Sequence, residues 1–134
     1  MTNTQGKGLL LTGDIGRGKS NIIRYVIPVL FHLKGKVVKS VHSSNIKKEL
    51  DDLINRRYIA IDEVGEEPTT VDYGERFEAF NRVVNAAEDD IKMLFISTNL
   101  SGKELDDRYG SRTIDRLERL CKIVKFSGES LRPK

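Results

Sequence analysis

Residues 8–20 read Gly8-Leu9-Leu10-Leu11-Thr12-Gly13-Asp14-Ile15-Gly16-Arg17-Gly18-Lys19-Ser20. A short apolar run opens into a glycine-rich turn, and the turn closes on Gly-Lys-Ser. Gly13, Gly18, Lys19 and Ser20 occupy every fixed position of the pattern G-x-x-x-x-G-K-[ST]. Glycines let the backbone bend until successive N–H groups point inward, where they can hold phosphate oxygens. A helix starting at the end of such a turn adds the positive end of its dipole. The stretch is therefore a candidate phosphate cradle. Gly13, Asp14, Ile15, Gly16, Arg17 and Gly18 form its loop, Lys19 reaches the β- and γ-phosphates, and the Ser20 hydroxyl ligates Mg²⁺.

On either side of the loop, strand-like and helix-like runs alternate. Gly8 to Thr12 reads as a buried strand. Ile22, Ile23, Val26, Ile27, Leu30 and Phe31 recur at three and four, which predicts a helix from Ser20 to Leu33. Pro28 falls inside it and should kink or shorten it. Val37 to Val41 is a β-branched strand, and Ser43 or Ser44 is expected to cap a helix through Ile46, Leu50, Leu53 and Ile54. Tyr58 to Ile61 is the next strand, followed by a loop from Val64 to Asp72. Glu75 to Ala87 is an amphipathic helix carrying Phe77, Phe80, Val83 and Val84. Met93 to Ser97 is a strand, and Lys103 to Arg108 a short helix. Ser111 is expected to cap a helix from Arg112 to Leu120, Lys122 to Phe126 is a last strand, and residues 128–134 form a tail. Strands alternating with helices imply an α/β fold: a parallel five-stranded sheet with helices on both faces and the phosphate loop at its carboxyl edge.

The 134 residues are enough for one domain with one core, 38% of them apolar and 32% charged, so a folded, water-compatible chain is expected. Apolar stretches are too short to span a bilayer, and the first residues lack the apolar segment of a signal peptide. Cys121 stands alone, which excludes an intrachain disulfide and a cysteine-built metal site. A cytoplasmic protein is the default expectation. The net charge of +3 is unevenly spread: residues 1–57 carry +7, residues 58–90 carry −8 and residues 91–134 carry +4. Such segregation suits an anionic ligand at the basic parts, or head-to-tail contact between copies.

Three further groups of residues point to chemistry. The apolar strand Tyr58–Ile61 ends in Asp62-Glu63, delivering two carboxylates to one edge of the sheet. In P-loop enzymes the first holds the Mg²⁺ shell, and an adjacent carboxylate can accept a proton from an attacking water. Asn99 follows the buried strand Met93–Ser97 and, on a neighbouring strand, would stand near Glu63 and orient water. Arg108, Arg112, Arg116 and Arg119 come late, the last three on one helix face. Like charges at that spacing destabilise a helix unless something anionic faces them. Asp115 and Glu118 could pair only some of them, so a neighbouring subunit's nucleotide, nucleic acid or the acidic middle segment of another copy are the candidates. His32 and His42 lack metal-ligand spacing and read as surface or packing residues. Tyr25, Tyr58, Tyr73 and Tyr109 are scattered and form no stacking platform.

The chain resembles the AAA+ ATPases of the DnaC and DnaI helicase-loader and IstB transposition-helper family. The resemblance is carried by the phosphate loop, by Ile-Ala-Ile-Asp-Glu-Val-Gly-Glu-Glu at 59–67, by Ile-Ser-Thr-Asn-Leu-Ser at 96–101, by Tyr-Gly-Ser-Arg-Thr-Ile-Asp-Arg-Leu at 109–117, and by Phe-Ser-Gly-Glu-Ser-Leu-Arg at 126–132. It implies a single AAA+ core domain over residues 1–134, ATP hydrolysis in a head-to-tail homo-oligomer, binding of single-stranded DNA, and a replicative helicase or transposase as partner. It also implies roles: Lys19 and Ser20 as the phosphate-loop pair, Asp62 and Glu63 as the Walker B pair, Asn99 as sensor 1, Arg116 as the arginine finger and Arg112 as its runner-up. Two departures stand out. The segment before the first strand is short, so the N-terminal partner-binding region of loaders is expected to be missing, and no helical lid is expected. A nucleotide-dependent interaction module with little hydrolysis is the alternative from another class. No Asn-Lys-x-Asp guanine motif occurs, which favours ATP.

Overall fold

The computed structural model describes residues 7–13, 17–65 and 73–126. Five strands form one sheet: β1 (Gly8–Gly13), β2 (Val38–His42), β3 (Tyr58–Asp62), β4 (Met93–Ser97) and β5 (Cys121–Phe126). Their order is β2-β3-β4-β1-β5, and every neighbouring pair is parallel. All five strands and the α/β class match the expectation from the sequence. Because the pairs are all parallel, Gly13, His42, Asp62, Ser97 and Phe126 end on one edge. β4 lies between β1 and β3, so the chain leaving β4 runs between the phosphate loop and Asp62-Glu63.

Side chains alternate across this sheet, as the two-residue period of a strand requires. Leu10, Ile59, Ile61, Leu94 and Ile96 point to one face. There they meet Leu53 of a short helix α2 (Leu50–Leu53) and Phe80, Val83 and Val84 of α3 (Tyr73–Asp90). Leu105 of α4 (Gly102–Tyr109) and Leu117 of α5 (Ser111–Leu120) complete that layer. Leu11, Ala60 and Phe95 point to the other face, where Ile23 and Ile27 of a single helix, α1 (residues 17–33), cover them.

α1 spans residues 17–33 and contains a π-helical turn at Ile22–Val26 between α-helical segments Arg17–Asn21 and Ile27–Leu33. This is how the chain accommodates Pro28. Proline lacks the N–H that would bond back one turn, and its ring would strike that turn's carbonyl. The Ile27 N–H instead reaches the Ile22 carbonyl, five residues back, and the helix continues without being cut short.

Two caps differ from expectation. No single helix runs from Ser43 to Ile54: a 3₁₀ turn at Ser43–Asn45 and the separate α2 take its place. The cap of that turn is the His42 ring, which accepts the Ser44 N–H at 3.1 Å, while the Ser43 hydroxyl is drawn off to the Glu63 carbonyl. Ser111 is the first residue of α5 and caps nothing; Gly110, with φ of 90°, precedes it and no side chain fills the cap. The strongest cap is on α4, where Ser101 and Glu104 exchange hydrogen bonds as a capping box.

Candidate functional site

β1 delivers Gly13 in a left-handed conformation, φ 124°, with the Phe126 carbonyl so close that a Cβ could not be accommodated. The chain can turn there only as glycine. Asp14, Ile15 and Gly16 lie outside the described residues, as does the side chain of Arg17. Beyond them α1 begins, carrying Gly18, Lys19 and Ser20 in its first segment, so its N-terminus stands at the carboxyl edge of the sheet. Lys19 is 2% exposed, unusual for a lysine, so its cation is held within the protein.

The structure brings Ser20 and Asp62 together. The Ser20 hydroxyl donates to Asp62 Oδ1 at 3.0 Å, across 42 residues of chain. The Ser97 hydroxyl donates to the same oxygen at 2.5 Å. Asp62 is 2% exposed, and its one ion-pair contact among the described residues is Arg24 Nε at 4.0 Å from Oδ2, from a side chain that is itself largely exposed. A buried carboxylate is thus held by two hydroxyls and one distant cation. That is incomplete compensation for a buried charge, and it suits a site built to receive a cation.

Glu63 follows in a left-handed conformation, φ 59°. For a residue with a Cβ this costs about 1–3 kcal/mol and persists only where the surroundings impose it. Here three hydrogen bonds impose it. The Glu63 N–H donates to Ser97 Oγ at 2.9 Å, the Glu63 carbonyl accepts from Ser43 Oγ at 2.8 Å, and Glu63 Oε1 meets His42 Nε2 at 2.8 Å. Because His42 Nδ1 accepts the Ser44 N–H, the ring proton sits on Nε2 and is donated to Glu63. His42, read from sequence as a surface or packing residue, is therefore part of this site. β2 pairs with β3 so that His42 stands beside Asp62. Ser97 is the other residue that sequence reasoning passed over.

Asn99 sits two residues past β4 on the same edge. The Thr98 N–H bonds the Leu11 carbonyl at 2.9 Å and the Thr98 hydroxyl bonds the Val64 carbonyl at 2.6 Å, so the strand end is braced against both neighbours. A cleft of about 930 Å³ opens beside it, lined by Thr12, Gly13, Asn99, Ile114 and Phe126 among others, and reaching neither Lys19 nor Asp62-Glu63. The described residues contain no cluster of three or more His, Cys, Asp or Glu that could hold a metal by itself.

The late arginines are placed differently from one another. Arg116 Nε and Arg119 Nε both bond Glu88 of α3, at 3.2 and 2.6 Å. The anion bonded to this stripe is thus Glu88 of the same chain, with Asp115 adding a lesser attraction on Arg119. The Arg119 guanidinium, and Arg116 after it, holds the Glu88 carboxyl below its usual range. Arg112 lies exposed in the first turn of α5. Among the basic residues of the first segment, Lys39 is engaged by Glu49 and Asp52, and Arg56 by Asp52, whereas Lys36 and Arg57 flank the Tyr58 ring.

An all-parallel sheet in the order β2-β3-β4-β1-β5, with Gly18-Lys19-Ser20 at the start of the helix that follows β1, has the fold of P-loop domains. No protein-family model matches the sequence, and no curated protein does. Solved structures match instead. The chain is similar to the DnaC helicase loader, with 17% identity and a TM-score of 0.76 over 94% of this chain and 81% of that one. It is similar to DnaI, with 17% identity and a TM-score of 0.75 over 89% and 72%. It also resembles the replication initiator DnaA bound to AMPPCP and single-stranded DNA, at 13% identity and TM-score 0.73, spanning 90% of this chain and 40% of that one. These likenesses show the fold that helicase loaders and DnaA share. No helix among the described residues is long and apolar enough to cross a membrane.

Proposed function

We propose that this chain binds and hydrolyses ATP as an AAA+ protein of helicase-loader type, acting in DNA replication with single-stranded DNA and a replicative helicase. The observation that carries the reading is the Ser20–Asp62 hydrogen bond at 3.0 Å, which joins the end of the glycine-rich loop to the end of a strand two positions away in the sheet. The residues present fit a nucleotide with Mg²⁺. Lys19 is held inward, and Ser20 and Asp62 offer two oxygen ligands. Ser20 and Asp62 would hold Mg²⁺, which would supply charge neutralisation at the phosphates.

The chain's own residues do the rest. Loop N–H groups and Lys19 bind and orient the phosphates. Glu63 accepts the proton of the attacking water, its carboxylate aimed by the strained backbone and by His42. Asn99 orients that water. Arg116, with Arg112 as the alternative, reaches the site of a neighbouring subunit in a head-to-tail homo-oligomer, and the segregated charge of the chain favours such contacts. Loader rather than transposition helper is supported by the likeness to DnaC and DnaI.

ATP turnover in Mg²⁺, with and without single-stranded DNA, tests the reading. Glu63→Gln is expected to bind ATP and hydrolyse it at least about a hundredfold more slowly. Turnover at the wild-type rate would remove Glu63 from the role. A second reading, a nucleotide-dependent interaction module that turns over little, has one observation in its favour: His42 already engages the Glu63 carboxylate. On that reading His42→Ala raises turnover; on the first it lowers it.

A further inference from the structure

The outer side of α1 is apolar, and no described element covers it. Tyr25, Val26, Val29, Leu30 and Leu33 are exposed, with Val37 just past the helix; Leu33 reaches 75% and Val37 64%. The chain's other exposed large hydrophobics among the described residues are only Ile91 and Ile123. The spacing 26, 29/30, 33 and 25, 29, 33 is that of rows on one helix face, the pattern by which a second helix packs ridges into grooves. These side chains point away from the sheet, since Ile23 and Ile27 of the same helix fill the core.

The charge around this stripe has one sign. Residues 15–48 contain Arg17, Lys19, Arg24, Lys34, Lys36, Lys39, Lys47 and Lys48 and no Asp or Glu. Arg24 lies over the Tyr25 ring at 5.5 Å, and Lys36 over Tyr58 at 5.6 Å. Lys34 and Lys36 make no ion pair with a described residue. A seam whose flanking charges on α1 and the turn after it, Arg24, Lys34 and Lys36, are all cations disfavours a second copy of itself, because two such sets would repel. Over residues 78–90, the part of α3 whose side chains are described, the exposed residues Glu78, Arg82, Asn85, Asp89 and Asp90 are all polar, so that stretch of a second copy offers no matching seam. Nucleic acid would use the cations but not the aliphatic rows, and Tyr25 is the only aromatic among them.

We infer that the outer face of α1 is a docking surface for an acidic amphipathic helix of a second protein. The partner lays an aliphatic stripe along Val26, Val29, Leu30 and Leu33 and sets its Glu and Asp flanks against Arg24, Lys34 and Lys36. Leu33 is fourteen residues from Lys19, about 21 Å along a helix, so docking there leaves the phosphate loop open.

The test uses the full chain and synthetic peptides followed by fluorescence anisotropy. The probe is a helix of about 18 residues, roughly 27 Å long, with leucines on one face and glutamates on its flanks. It is compared with the same leucine face flanked by lysines and with a scrambled acidic peptide. The acidic amphipathic peptide is expected to bind in the micromolar range, the other two at least tenfold more weakly. Val29→Glu with Leu33→Glu should weaken it at least tenfold. Should that variant fail to fold, Lys34→Glu with Lys36→Glu must reverse the preference toward the lysine-flanked peptide. The inference is overturned by equal binding of all three peptides, or by binding of none. It is equally overturned if sedimentation shows self-association through this face, or if vesicles of phosphatidylglycerol or a thymidine oligonucleotide bind it more tightly than the acidic helix.

Discussion

Two carboxylates in this molecule, Asp62 and Glu88, meet opposite company. At the end of β3, Asp62 is nearly fully buried and held by the Ser20 and Ser97 hydroxyls, with Arg24 no closer than 4.0 Å. On α3, Glu88 is partly exposed and takes two guanidinium contacts, one on each oxygen. Glu88 is neutralised within the chain and ties α3 to α5. Asp62 is buried with its charge left largely uncompensated, a state that costs stability and that suits the cation-binding role proposed for it. The difference teaches how to separate a structural acid from a functional one: by what the buried charge lacks.

The largest expected effect falls on Arg116, which touches both sides of that contrast. It is anchored by Glu88, yet it is the arginine proposed to reach a neighbouring subunit. An arginine supplied to a γ-phosphate can be worth about 10³–10⁵ in rate. Arg116→Ala should therefore retain ATP affinity and lose about a thousandfold or more in turnover, and mixing it with Glu63→Gln should restore activity through mixed interfaces. If the two co-assemble and stay inactive, Arg112 is the residue to test. Glu88→Gln should not reproduce the loss of ATP affinity expected of loop variants.

Melting temperatures sharpen the contrast. Asp62→Asn removes an uncompensated buried charge and should raise the melting temperature by about 2–5 °C while weakening Mg²⁺-dependent nucleotide binding. Glu88→Gln should lower it by no more than about 4 °C and leave that binding intact. The sign with pH follows from the depressed pKa of Glu88. Its contribution is present above the unfolded carboxyl's value of 4.5 and is lost as pH falls through the lower folded value. The melting difference between wild type and Glu88→Gln should thus shrink below pH 4.5. If Asp62→Asn instead melts lower than wild type, Asp62 is a structural acid like Glu88.

The smallest effect is a null at Cys121, buried under the first core layer, where burial pushes its thiol up to about 12. Labelling by a thiol reagent at pH 8 should be negligible in the native protein and complete on unfolding. Rapid native labelling would show that β5 opens.

The sequence made the strands legible because buried parallel strands leave short apolar runs; the fixed spacing of its glycines and Lys19-Ser20 marks the loop as a candidate, with Asp14 to Gly16 outside the described residues. Asp62 and Glu63 were readable for the same reason, as polar residues ending such a run. His42 and Ser97 were not. Their roles come from register across β2, β3 and β4, which no local pattern encodes, and Ser97 looks like any small residue ending a strand. Glu88 escaped for a related reason: it meets Arg116 and Arg119 only because α3 and α5 pack on the same face. Pro28 reads as a kink or a shortening because its missing N–H is visible in sequence, whereas the π-helical turn that absorbs it leaves no local pattern.

Calorimetric titration of ATP with Mg²⁺ into the wild type and into Lys19→Ala tests most directly whether the glycine-rich loop and the Asp62 strand end form one nucleotide site. Saturable binding to the wild type is expected, with most of the affinity lost in Lys19→Ala while its melting transition survives. Equal affinity in both proteins, or no binding to the folded wild type, would contradict it.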